Sequence, residues 1–176
     1  MTRTLVLLAT VVAITGSEPA QACQRISSVS VFDVVDRADL IVLATAAEYA
    51  LAPEGDRWTS GEPSSRIKFA VKEMLRGPNA MLMFELKGYL GDRNDFNDHD
   101  APYTFVRPGG RGGSCYANTY RRGALYLLFL KKHADGYTVN WNALAPVNEQ
   151  LHSETDPWLF WVKGYLAAKT TTLPER

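Results

Sequence analysis

Five residues of this 176-residue chain have the side chains that most often take part in covalent or metal chemistry, two cysteines and three histidines. The cysteines, Cys23 and Cys115, lie far apart, and the histidines are scattered at His99, His133 and His152. No Gly-x-Ser-x-Gly elbow, phosphate-binding loop or zinc-binding motif is present. We therefore expect a protein that is not an enzyme, with no catalytic residues, no cofactor and no metal of its own.

An acidic segment at residues 92–100 is dense in oxygen atoms that could bind calcium. It lacks the glycine and the terminal glutamate of an EF-hand loop, so a solvated loop is the favoured interpretation. The glycine-rich segment 108–113 could gather backbone N–H groups into an anion-binding nest. The favoured interpretation is that these residues form a flexible segment leading to Cys115.

The first 22 residues have the three parts of a secretory signal peptide. Arg3 gives a basic start, residues 5–14 are apolar, and residues 20–22 read Ala-Gln-Ala, as at a cleavage site. We expect cleavage after Ala22 and a periplasmic or secreted protein. The apolar stretch is shorter than the ~20 residues that span a bilayer, so no transmembrane segment is expected in the mature chain. A lipid anchor on Cys23 is the alternative, although lipoprotein signals normally have leucine three residues before the cysteine.

The two cysteines are expected to form one disulfide, because exported proteins fold in an oxidising compartment. A Cys23–Cys115 bridge would close a long loop and contribute about 4 to 5 kcal/mol in the chain-entropy model. Two buried free thiols are the alternative.

The charge balance argues against one class of partner. The chain has 19 basic and 19 acidic residues, and removal of the signal peptide takes away one of each sign, Arg3 and Glu18. A chain with no net charge lacks the excess of basic residues that attracts a phosphate backbone, so we expect no nucleic-acid partner. The mature length fits one domain, which we place at residues 23–169, followed by a flexible tail at 170–176. We expect a monomer.

Hydrophobic periodicity predicts five strands and two helices. Residues 124–130 are apolar or aromatic and end near an Asp-Gly turn, which is typical of a strand buried on both faces. We expect the core to be built around this strand. One helix is predicted at Ser30–Arg37, and another begins at Asp156-Pro157, where aspartate suits the cap and proline the first helical position. The other strands are predicted at 39–49, 66–72, 80–86 and 137–141.

Residues 87–114 are polar, rich in glycine and without a sustained period. A loop of that length in a compact domain is usually functional or disordered. The whole pattern predicts a mainly β fold, a small five-stranded barrel of the OB type with a short N-terminal helix and a C-terminal helix. An open sheet with a helix packed on one face is the alternative.

Several of these features together resemble the netrin-like module, which includes the inhibitory domain of tissue inhibitors of metalloproteinases and bacterial relatives of unassigned function. The resemblance covers residues 23 to about 141. It rests on a cysteine at the mature N-terminus, the helix that follows, Ala38-Asp-Leu-Ile-Val-Leu43, a second strand ending in Glu73-Met-Leu-Arg-Gly77, a returning strand, and Cys115 followed by the Gly-x-x-Tyr-Leu strand that begins at Gly123.

In the animal inhibitors, the N-terminal cysteine inserts into a metalloproteinase, and its free α-amine and carbonyl chelate the catalytic zinc. The resemblance implies this role for Cys23, with Cys115 as its disulfide partner and Gln24 probing the protease pocket. An α-amine with a pKa of about 8 is readily deprotonated, and a disulfide would preorganise it. Gln24 stands where the family usually has a small residue, and Arg25 where animal members have a second cysteine. The implied partner is a zinc metalloproteinase or another extracytoplasmic protein.

A second hypothesis assigns binding to the long loop. Tyr89, Phe96, Tyr103 and Phe105 are expected to be exposed on residues 87–114 and to bind a peptide or an oligosaccharide by stacking. This hypothesis does not need a free amine on Cys23. An enzyme without a recognisable motif is the third and least favoured hypothesis.

Overall fold

The computed structural model describes residues 30–54, 63–78, 81–111, 116–142 and 144–171. The predicted signal peptide, Gln24 and the predicted Cys23–Cys115 disulfide lie outside these residues. Within them the chain is mainly β, as predicted. Its elements are α1 (Val31–Arg37), β1 (Leu40–Leu51), β2 (Arg66–Arg76), β3 (Met83–Lys87), β4 (Tyr89–Gly91), a short 3₁₀ helix (Pro108–Gly110), β5 (Thr119–Arg121), β6 (Leu125–His133), β7 (Gly136–Val139), β8 (Asn148–Gln150) and α2 (Pro157–Thr171).

One six-stranded sheet forms the body of the molecule. Its strands follow the order β3-β2-β1-β6-β7, and β8 pairs with β6 beside that path. All of these pairs are antiparallel. β4 and β5 form a separate parallel pair. The five strands predicted from periodicity correspond to β1, β2, β3, β6 and β7, whereas β4, β5 and β8 were not predicted.

The two ends of this sheet approach each other. Residues of β3 and β7 come within 8 Å between Cα atoms, but no ladder joins the two strands in the described part of the chain. The β1–β2 ladder contains several register shifts, and such irregularities bend and twist a strand. The mainly β class is thus confirmed, while a closed five-stranded barrel is not.

β6 is the central strand of the core. Its residues Tyr126 to Leu130 are fully buried. Both edges of the strand are paired, one with β1 and the other with β7 and β8 in turn. The prediction that the core is built around this apolar run is confirmed.

α1 is fixed at both ends. The Ser30 hydroxyl oxygen accepts a hydrogen bond from the Phe32 N–H (3.2 Å) and caps the helix. At the other end, the Arg76 guanidinium of β2 donates to the carbonyls of Val35 (2.7 Å) and Ala38 (3.2 Å). The last carbonyls of a helix lack the usual partners within the helix, and the Val35 carbonyl otherwise accepts only a long hydrogen bond from the Ala38 N–H (3.4 Å) among the described residues. α1 is therefore anchored directly to the sheet.

α2 is the predicted C-terminal helix, and it packs its aromatic face between the sheet and α1. Trp158 is fully buried, and Trp161 stacks on Tyr165 with ring centroids 5.5 Å apart. Phe32 of α1 contacts both of these rings. The helix continues through Thr171, past the predicted domain end at residue 169. No helix in the described ranges is both long and apolar enough to cross a membrane.

Candidate functional site

Three residues that the resemblance singles out, Cys23, Gln24 and Cys115, lie outside the described part of the chain. Their disulfide and their contact with a protease stay predictions. The described chain begins at Ser30, the cap of α1.

Tyr103 is not part of an exposed loop surface. Its side chain is only 5% exposed and its ring packs 5.5 Å from that of Trp158. Burial, together with the nearby Asp156 and Glu149 carboxylates, raises the pKa of Tyr103 to about 12. The expectation that this residue is exposed is wrong, because the loop folds back onto α2 and buries the ring.

The other three predicted loop aromatics are partly buried and lie apart from one another. Tyr89 belongs to β4. Phe96 stacks on His152 with ring centroids 3.8 Å apart, and Phe105 lies under the Arg111 guanidinium at 5.1 Å. Among the described residues no ring contact joins any two of these three. The structure therefore does not bring them together into one platform.

The segment 92–111 is tied to the sheet by the fully buried side chain of Arg107. Its Nε donates to the Asn148 carbonyl of β8 (3.1 Å). Its Nη2 donates to the carbonyls of Ala117 (2.7 Å) and Thr119 (2.9 Å). Its Nη1 forms an ion pair with Asp95. Every nitrogen of the guanidinium is thus engaged, as the burial of a charge requires.

Two tyrosine rings complete the surroundings of this guanidinium. The centroids of Tyr120 and Tyr126 each lie 5.5 Å from its central carbon, a distance at which a ring face attracts a cation. Burial raises the pKa of Tyr120 to about 12 and also raises that of Tyr126. Both phenols are therefore neutral at physiological pH.

Glu149 is a second buried ionisable group in the same cluster. Its Oε1 accepts from the Arg107 backbone N–H (3.3 Å), and its Oε2 accepts from Asn97 Nδ2 (2.9 Å). Burial raises the pKa of the Glu149 carboxyl to about 7, although the Arg107 charge and the Asn97 hydrogen bond oppose that rise. The carboxyl is thus close to its titration point at neutral pH.

All three residues of β8 are polar and buried. The Gln150 side chain accepts from the Asp95 N–H (2.9 Å) and donates to Asn94 (2.8 Å). Asn148 donates to the Ala117 carbonyl (2.6 Å) and the Tyr120 hydroxyl (2.8 Å). Buried polar groups are stable only when they are hydrogen-bonded. The side chains of Glu149 and Gln150 therefore hold the segment 92–111, and that of Asn148 holds residues 117–120.

The acidic segment 92–100 supplies several of these anchors. Asp95 pairs with Arg107, Asn97 with Glu149, and Asp98 with Arg111. Part of the segment is thus packed against the sheet rather than solvated. In the ranges that the structure describes, no group of three or more His, Cys, Asp or Glu side chains is arranged to hold a metal ion.

The residues of this cluster have a structural role. Arg107, Asn148, Glu149 and Gln150 are each at most 1% exposed, so a substrate cannot reach them. Their hydrogen bonds hold the loop in one conformation. The residue-by-residue reading of the sequence missed this cluster. The one available signal was the run of three polar residues at 148–150 between Val147 and Leu151, in a region with no glycine.

The comparisons with known proteins do not place the chain in a family. No protein-family model matches it, and no curated protein matches it.

Proposed function

We propose that this protein is an exported, non-enzymatic binding module that resembles the inhibitory domain of metalloproteinase inhibitors and acts on a protein partner outside the cytoplasm. The observation that carries the proposal is the connectivity of the five main strands. β1 pairs with β2 and β6, β2 pairs with β3, β6 pairs with β7, and the ends β3 and β7 approach each other. This strand order supports an OB-type barrel, because the OB fold is a partly open, five-stranded Greek-key barrel that serves as a binding scaffold.

The anchoring of α1 supports a role for the chain that precedes it. Arg76 holds the carbonyl end of α1 on β2, and Tyr165 and Lys169 of α2 hold Asp36 from the other side. The chain that precedes such a helix is joined to the domain at a fixed point. A binding element presented from a fixed point loses less conformational entropy when its partner is bound.

The proposed contact is the α-amine and carbonyl of Cys23 on the zinc of a metalloproteinase, with Gln24 directed into the protease pocket. The Cys23–Cys115 disulfide would tie this end to the barrel. An amine that is acylated or extended by one residue cannot donate its lone pair to zinc in the same position.

An extension of one residue tests this contact. Adding alanine before Cys23 should abolish inhibition of a susceptible zinc protease, while the thermal midpoint stays almost unchanged. The matched control adds alanine after Arg176, where inhibition should persist. If the authentic N-terminus inhibits no member of a broad panel of zinc metalloproteinases at micromolar concentration, the inhibitory role is wrong.

One observation favours a second candidate function, binding of a peptide or an oligosaccharide by the segment 87–114. The Arg107 cluster anchors residues 92–111 of this segment, and Phe96 and Phe105 remain partly exposed there. Replacing Phe96 and Phe105 with alanine should then abolish binding of the ligand, and circular dichroism should show that the variant is folded. Tyr103 is left unchanged in this test, because it belongs to the core.

A further inference from the structure

A small cleft lies between α1 and the turn that follows β7. Its volume is about 150 Å³, below the ~300 Å³ at which pockets for drug-sized ligands begin. Asp33, Val34 and Arg37 of α1 line one wall, and the other is lined by Asn140, Trp141, Asn142 and Val147. A space of this size suits a single small ring rather than an extended molecule.

Two side-chain amides of the cleft have no hydrogen-bond partner among the described residues. Asn140 and Asn142 are half-buried, and neither side chain makes a hydrogen bond in the described part of the chain. The amides of Asn97 and Asn148, by contrast, are held by internal hydrogen bonds. Each amide offers both N–H donors and a carbonyl acceptor. Together they suit a ligand whose groups donate and accept, as adjacent hydroxyls do.

An aromatic side chain lies between these amides in the sequence. Trp141 lines the cleft, and its ring packs 5.1 Å from that of Tyr116, which is 40% exposed. The cleft thus combines one aromatic side chain with several polar groups. A sugar ring matches it, because such a ring has an apolar face and hydroxyls along its rim.

The charges of the opposite wall favour a neutral ligand. Asp33 and Arg37 face each other across one helical turn, 3.6 Å apart. A cation would be attracted to one of them and repelled by the other, and an anion likewise. A hydroxyl group can donate to the carboxylate or accept from the guanidinium without that penalty.

The geometry points to this cleft as a binding site for one ring of a neutral saccharide. The ring stacks on Trp141, and its hydroxyls bond to Asn140, Asn142 and Asp33. The site uses none of the residues assigned to the contact with a metalloproteinase, so it stands or falls separately from that proposal. Affinity for a single ring is in the millimolar range, because so small a ligand buries little area.

Titration of the mature protein with glucose, galactose, mannose, N-acetylglucosamine and their disaccharides tests the site. Isothermal calorimetry and saturation-transfer NMR report the binding. We expect saturable binding of at least one of these sugars, and a loss of tenfold or more in affinity for Asn142→Ala and for Trp141→Ala. Trp141→Phe should retain part of the affinity, because it keeps an aromatic face.

Phe160→Ala is the matched control, since Phe160 is an exposed aromatic residue on α2, 60% exposed. It should leave the affinity unchanged, and circular dichroism should show that every variant is folded. The proposal is overturned if no sugar in the panel binds the wild type at tens of millimolar. It is also overturned if binding survives Asn140→Ala, Asn142→Ala and Trp141→Ala, or if short peptides bind at the cleft and sugars do not.

Discussion

Replacing Glu149 with glutamine should change how the stability of the protein depends on pH. The carboxyl has a pKa of about 7 in the folded protein, raised by burial from an ordinary value of 4.5. Between these two pH values the folded state keeps a proton that the unfolded state has released. The contribution of Glu149 to stability is therefore fully present below pH 4.5 and is lost as pH rises through 7.

The size of the effect follows from the width of this interval. Each pKa unit is worth about 1.4 kcal/mol, so ionisation of Glu149 should lower the free energy of unfolding by about 3 kcal/mol between pH 4.5 and pH 8. Glutamine cannot ionise and removes this slope. In the wild type, the two Glu149 oxygens accept from the Arg107 N–H and the Asn97 amide. Glutamine replaces one of these oxygens with an NH₂ group, which then faces another donor. That conflict lowers stability equally at every pH and does not alter the slope.

Urea unfolding of the wild type and Glu149→Gln at intervals from pH 5 to pH 8 measures the slope directly. The wild type should lose stability relative to the variant as pH rises. Glu154→Gln is the matched control. The exposed Lys72–Glu154 ion pair lowers the pKa of Glu154, so that its own titration lies below this window. Parallel curves for the wild type and Glu149→Gln would refute the reasoning, since they would mean that Glu149 ionises near its usual pKa.

Three further substitutions have defined outcomes. Arg107→Met should lower the free energy of unfolding by about 3 to 5 kcal/mol and speed amide hydrogen exchange in residues 92–111, because Asp95 and three carbonyls each lose a donor; slow exchange there would contradict it. Cys115→Ser should cost several kcal/mol if Cys115 is bridged to Cys23, and non-reducing mass spectrometry should show the wild type two protons lighter than its thiol form. Phe32→Ala should cost about 1 kcal/mol in chemical unfolding, since the ring is half exposed but contacts two aromatic rings of α2; no change would mean that α1 and α2 are held by their polar contacts alone.

The sequence predicts the main strands well because their signal is local. Residues 124–130 combine an apolar run with a glycine before it and an Asp-Gly turn after it, and β6 lies at Leu125–His133. β4, β5 and β8 are only three residues long. A strand of that length completes too few alternations to give a period. Its place is decided by the pairing partner, which local sequence does not contain.

The Arg107 cluster could not be found in the same way. An arginine beside a glycine-rich stretch is ordinarily exposed, and the burial of Arg107 depends on acceptors at Ala117, Thr119 and Asn148 that adjoin it only in the folded chain. The placement of Tyr103 was mispredicted for the same reason, since Trp158 of α2 covers it. The proposed binding role of the Asn140 and Asn142 amides likewise depends on the position of α1, which the local sequence does not contain.

The distance along the chain between Arg107 and its acceptors also predicts an order of events in folding. Arg107 and Asn148 are 41 residues apart, and the guanidinium cannot leave water until the carbonyls of Ala117, β5 and β8 are in place to receive it. We therefore expect the segment 92–111 to dock after the rate-limiting step that builds the sheet. Interactions that are absent from the transition state act mainly on the rate of unfolding. Substitution of Arg107 should accordingly accelerate unfolding in a stopped-flow experiment while leaving the refolding rate nearly unchanged. The Arg107 side chain would then set the lifetime of the folded state and not its rate of formation.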